Sequence, residues 1–181
     1  MADIYDLAWS PDGTHLACAQ VDHSVSIFNV ATGAVVQTLT DHTHYVQGVS
    51  WDPRGELLAT QSSDRTCRVF RTAAVKGRSL FKPAVKLDRL PLPADAPEQT
   101  ADAGDKQAAA GSYRIFADES ISSFFRRLSF SPDGSLLVVP AAQLAPQSAS
   151  TYGALVFSRA DLSRYVRYMC YMLLCLAVLF L

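Results

Sequence analysis

His42-Thr43-His44 and Asp64 are the residues whose types most invite chemistry. An imidazole backed by a carboxylate can relay a proton, and two histidines one residue apart can share a metal ion. No third ligand stands at a metal-site spacing near them, and the sequence carries no G-x-S-x-G, P-loop or H-E-x-x-H. The four cysteines, Cys18, Cys67, Cys170 and Cys175, form no C-x-x-C pair. Cys18 and Cys67 lie inside apolar runs, where reduced, buried thiols are the expectation. The reading we take for His42 and Asp64 is a structural polar network, with Thr60 or Ser62 as the hydroxyl member and Asp22 in the place of Asp64 one repeat earlier. No cofactor, no metal and no enzymatic activity is expected.

The elements that position these residues follow from a repeat. Trp9, Pro11, Gly13, Leu16, Asp22 and Phe28 recur as Trp51, Pro53, Gly55, Leu58, Asp64 and Phe70, each pair 42 positions apart. A third copy runs from Phe125, with Phe130 in the tryptophan place and Pro132, Gly134 and Leu137 following in register. A unit of about 40–45 residues built from short strands is a four-stranded propeller blade. Tyr5, Leu7 and Trp9 alternate with Ile4, Asp6 and Ala8, which predicts a strand. Ser10-Pro11-Asp12-Gly13 and Ser131-Pro132-Asp133-Gly134 predict turns, since proline presets φ and glycine relieves steric strain. The fold class expected is therefore all-β: a partial propeller of about three four-stranded blades.

The charges add to −1, from 16 Lys and Arg against 17 Asp and Glu. No field of one sign draws the whole chain to DNA, and direct sequence-specific DNA binding is not expected. Met1-Ala2-Asp3-Ile4-Tyr5-Asp6 has neither the basic nor the apolar region of a secretory signal.

Asp41-His42, Asp64 and Phe70 stand where the WD-repeat pattern has its Gly-His pair, turn Asp and closing Trp, so the chain resembles the WD-repeat family. Ser123-Phe124-Phe125-Arg126-Arg127-Leu128-Ser129-Phe130-Ser131-Pro132-Asp133-Gly134 is far more specific than the generic repeat, as is Tyr45-Val46-Gln47-Gly48-Val49-Ser50-Trp51-Asp52-Pro53. With Ser112-Tyr113-Arg114-Ile115-Phe116 they resemble the middle, WD-repeat subunits of chromatin assembly factor one across about residues 5–164. The resemblance implies a nuclear histone chaperone subunit that supports deposition of H3–H4 during DNA synthesis. Its implied partners are the other assembly-factor subunits and, directly or through them, the histones. The HIRA-type replication-independent chaperones share the repeat class and form the competing assignment. Arg126 and Arg127 are candidates for contact with acidic groups of a partner, against an internal bridge or a stem laid over the blade. Arg126-Arg127-Leu128-Ser129 also has the form of a basic-directed kinase site.

The expected organisation is a first blade over 1–41, a second with a basic outer segment over 42–89, a flexible Pro/Ala/acidic loop over 90–111, an incomplete third blade over 112–164 and an apolar tail over 165–181. Three blades are fewer than the usual four to eight, so further blades are expected on both sides. The tail departs from the family and reads as an altered splice end. As a helix its uncharged residues 168–181 would reach about 21 Å, short of a bilayer core of about 30 Å, so a membrane-tethered adaptor is the weaker alternative.

Overall fold

The computed structural model describes residues 2–75, 78–91, 112–118, 121, 126–143 and 152–170, and among them every regular element is a strand. The first sheet is a meander of β1 (Ile4–Trp9), β2 (His15–Gln20), β3 (Val25–Asn29) and β4 (Val35–Leu39). The second repeats it with β5 (Val46–Trp51), β6 (Leu57–Ser62), β7 (Thr66–Val75) and β8 (Arg78–Leu87). β9 (Arg89–Pro91) and β10 (Ser112–Arg114) then pair as a short antiparallel ribbon. The third sheet is β11 (Ser129–Phe130), β12 (Leu136–Gln143), β13 (Tyr152–Ser158) and β14 (Asp161–Cys170).

The register confirms the repeat. Trp9 stands opposite Leu16, Trp51 opposite Leu58 and Phe130 opposite Leu137, so the three aromatic positions are equivalent. In the first and third blades the turns between first and second strands are alike for a local reason. Oδ1 of Asp12 accepts from the Ser10 hydroxyl at 2.6 Å and from the Thr14 amide at 3.0 Å. Asp133 does the same for Ser131 at 2.6 Å and Ser135 at 3.0 Å. These bonds hold the Asp12 carboxyl down at about 2, the Ser10 hydroxyl contributing most. Gly13 closes its turn at φ 69°, a conformation that costs an L side chain roughly 1–2 kcal/mol.

Blade faces pack in sequence. Ala17, Ala19, Val25 and Ile27 of the first blade meet Val46, Val49, Leu58 and Phe70 of the second. The other face of the second blade, with Leu57, Ala59, Cys67 and Val69, meets Leu128, Phe130, Leu137 and Phe157 of the third. Period-two alternation is the reason: Leu57 and Leu58 are neighbours in sequence and bury against different blades. Each such side chain contributes about 1.5–3 kcal/mol on full burial. In the first blade the face equivalent to Val49 and Phe130 is open. Trp9 is 59% exposed where Phe130 is 8% exposed, and Leu7 and Ile4 are exposed beside it.

Two outer segments of the expected organisation take definite form. The basic segment after Phe70 forms a long hairpin in which β7 and β8 pair from Cys67 and Leu87 out to Val75 and Arg78. β14 continues through Cys170, so residues 165–170, the start of the expected apolar tail, pair with β13 as the fourth strand of the third sheet. β-branched and aromatic residues, Tyr165, Val166 and Tyr168, favour that outer strand. Residues 92–111, most of the acidic loop, and 171–181, the end of the apolar tail, lie outside the described residues, as do Ser123, Phe124 and Phe125. No helix among the described residues is long and apolar enough to cross a membrane.

Candidate functional site

His42 precedes β5 and is almost fully buried. Its Nδ1 meets Oδ2 of Asp64 at 2.9 Å, and its Nε2 meets Oγ1 of Thr60 at 2.8 Å. A carboxylate only accepts, so Nδ1 carries a proton toward Asp64, while Nε2 shares the second hydrogen bond with the Thr60 hydroxyl. Asp64 also accepts from the Thr43 amide at 3.1 Å and from the Thr66 hydroxyl at 2.7 Å. Burial works to raise its pKa, but the bond to and charge of His42, with Thr66 and Thr43, hold the carboxyl far below the usual carboxylate range. Thr60 is thus the hydroxyl member of the network. Ser62 braces the same turn from beside it, where its Oγ accepts from the Asp64 amide at 3.0 Å and donates to the His44 carbonyl at 3.0 Å. The network joins the approach to β5, strand β6 and the β6–β7 turn, and it occupies both imidazole nitrogens internally.

Asp22 takes the same turn position in the first blade but is exposed, and its Oδ1 accepts from the Ser24 hydroxyl at 2.6 Å and amide at 3.2 Å. The residue after each turn acid is left-handed, His23 at φ 71° and Arg65 at φ 67°, which identifies the two turns as one motif. His42 and His44 do not converge as a strand would make them. They lie in an irregular stretch, and Nδ1 of His44 turns instead to Oγ of Ser63 at 2.5 Å. No cluster of three metal-ligating side chains occurs among the described residues.

Alternation places Arg126, Leu128 and Phe130 inward and Arg127 and Ser129 outward. Arg126 is 1% exposed, which corrects its candidacy as a partner contact. Its Nε donates to Oε1 of Gln47 at 2.9 Å, and its two terminal nitrogens donate to the carbonyls of Ala117 and Asp118. The guanidinium therefore ties the second blade to the segment leading into the third. Arg127, with a side chain 67% exposed, approaches Oδ1 of Asp6 at 3.6 Å. The other carboxylate oxygen of Asp6 accepts from the Val49 amide at 3.0 Å, so this one acid touches all three blades. Burial of Arg126 and pairing of Ser129 with Val138 also take away the arginine pair that a kinase would read.

A second seam was not singled out from the sequence. Asp52 holds the first position of its turn, where the other blades have Ser10 and Ser131. It is fully buried and meets Nη1 of Arg159 at 2.8 Å, while Glu56 meets Nη2 at 2.7 Å. Arg54 donates to the Asp133 carbonyl at 2.9 Å. The departure from serine at Asp52 was the available signal. Charged and polar groups along the blade seams are thus largely committed to one another.

The rim at the first seam carries a ring cluster. Tyr45, exposed, lies 4.4 Å from His44, 5.9 Å from His23 and 6.0 Å from Tyr5, centroid to centroid. His23 and His44 stack at 5.7 Å, 10° from parallel.

The sequence profile of the CAF1B/HIR1 beta-propeller domain matches residues 1–178. A chromatin assembly factor 1 subunit of Gallus gallus is 39% identical over 91% of this chain and 26% of its own length. The chromatin assembly factor 1 FAS2 homolog of Oryza sativa is 42% identical over 90% of this chain and 31% of its own. Protein HIR1 of Cryptococcus neoformans is 33% identical over 81% of this chain and 13% of its own. The chain thus spans less than a third of the length of these relatives. With three equivalent sheets stacked face to face in the register the repeat requires, the chain belongs to the CAF1B/HIR1 β-propeller family.

Proposed function

We propose that this chain is a binding scaffold of a nuclear histone chaperone complex, supporting deposition of H3–H4 during replication-coupled nucleosome assembly. The observation that carries the reading is the similarity to chromatin assembly factor subunits over about nine-tenths of the chain. The geometry supports action by binding without turnover: His42, Asp64 and Thr60 are buried and mutually bonded, so no nucleophile or base is presented by that group. Partners are the other subunits of the complex, and histones directly or through them. Direct sequence-specific DNA binding is not part of this reading, since a net charge of −1 supplies no overall field of one sign.

Affinity capture of the tagged full chain from nuclear extract tests the reading. Recovery of the larger assembly-factor subunit together with H3–H4 is the expected result. Capture of neither, beside a successful full-length relative, removes it. The 33% identity to HIR1 favours a replication-independent complex as the second reading, and recovery of that complex's subunits would select it.

A further inference from the structure

The ring cluster at the first seam is built from both blades. Tyr5 comes from β1 and His23 from the β2–β3 turn, whereas His44 and Tyr45 come from the approach to β5. Backbone bonds fix the frame: the Val21 amide donates to the Asp3 carbonyl at 3.0 Å, and the Ser63 amide donates to the Tyr45 carbonyl at 3.1 Å. The Ser62 hydroxyl on the His44 carbonyl adds a third tie. Four rings are thereby held at the surface on short, braced segments, with little conformational entropy left to lose on binding.

Two exposed acids lie next to the rings in sequence. Asp3 and Asp22 are both exposed, the first two residues before Tyr5 and the second adjacent to His23. Both intramolecular bonds of Asp22 fall on one oxygen, Oδ1. Arg65, in the equivalent turn of the second blade, directs its Nε to the Phe116 carbonyl at 3.0 Å, toward the third blade. Asp41 faces Arg68 at 4.0 Å. An electron-rich ring face next to carboxylates suits a planar cation, which stacks on the ring and forks onto the acid.

We propose that Tyr45, His23 and Asp22 form a docking site for an arginine side chain carried on an extended segment of a partner protein. This deepens the scaffold reading by giving the chemistry of one contact, and it rests on that reading only for which protein supplies the arginine.

The test uses the full chain and two labelled decapeptides, one alternating glycine and arginine and one alternating glycine and glutamate, at about 0.15 M salt, where weak surface attraction is screened. Fluorescence anisotropy should give saturable binding of the arginine peptide and none of the glutamate peptide. Tyr45→Ala and Asp22→Asn should each weaken binding about 5- to 10-fold. Val35→Ala, an exposed site on β4, should leave it unchanged. Carbon-bound ring-proton NMR signals of His23 and His44 should move on titration with the arginine peptide. Circular dichroism checks that each variant is folded, and Tyr45→Phe, which keeps the ring, should retain binding. Absence of binding, equal binding of both peptides, or unchanged affinity in folded Tyr45→Ala each overturns the proposal. A chain that captures assembly-factor subunits yet ignores the arginine peptide refutes the docking site alone. One that binds the peptide and captures no subunits refutes the scaffold reading alone.

Discussion

Gly48→Ala is the sharpest perturbation the structure offers. A Cβ at Gly48 would lie 1.9 Å from the Arg126 carbonyl oxygen, 2.8 Å from its carbon and 3.0 Å from Cδ2 of Leu128. The obstacle is backbone, so no rotamer change relieves it. β5 must part from the 126–128 segment by more than an ångström. That movement pulls on the buried Arg126 guanidinium, whose bonds to Gln47, Ala117 and Asp118 hold the same segment. Overpacking alone costs about 1–3 kcal/mol, and loosening a buried charge-assisted bond adds about 1–3 kcal/mol. The expected loss is about 4 kcal/mol, which lowers Tm by about 10 °C in a domain of this size. Gly13→Ala is the control. Nothing lies within 4 Å of its Cβ, so only the positive φ is penalised, by roughly 1–2 kcal/mol. Thermal and urea denaturation of both variants measure the difference. If Gly48→Ala melted within about 2 °C of the parent, or above Gly13→Ala, the tight second seam would be refuted.

Arg126→Met should destabilise by about 3 kcal/mol in urea, because two carbonyls and Gln47 lose their donor, whereas Arg127→Ala should cost under about 0.5 kcal/mol; equal losses would contradict the inward and outward assignment. The Asp64 carboxyl has a depressed folded pKa, so its contribution is fully present above the unfolded value of about 3.9 and is lost as pH falls through the lower folded value. The gap in stability between the parent and Asp64→Asn should therefore be constant from about pH 7 to 5 and shrink below about pH 4, and a gap that widened on acidification would reverse the sign of that linkage.

Much of this fold was legible because it repeats. Trp9, Trp51 and Phe130 mark the same register, and the Pro-Asp-Gly turns after Trp9 and Phe130 close on their own side chains. What stayed ambiguous depended on neighbours in space. Thr60 and Ser62 both alternate onto the same side of β6, and sequence cannot say which one His42 reaches. Arg126 and Arg127 were separable by alternation, yet that one would be the internal tie required knowing that Ala117 and Asp118 fold back across it. Asp52 was passed over because its partner Arg159 lies a full repeat and an insert away. The outer strands β8 and β14 were blurred for another reason. They are half-exposed, so charge and apolar character mix along them and the period-two signal fades.

The β9–β10 ribbon sets the two ends of the intervening stretch side by side, with Pro91 opposite Ser112. A stem closed in this way uncouples length from architecture. Three ties between the second and third blades, Gln47 to Arg126, Arg54 to Asp133 and Gln61 to Pro140, all join equivalent places of the two units despite the added chain. Each doubling of such a stretch costs only about 0.6 kcal/mol in closure entropy. Insertions between Pro91 and Ser112, a spliced fluorescent domain among them, should therefore leave the pairing of the second and third blades on either side intact.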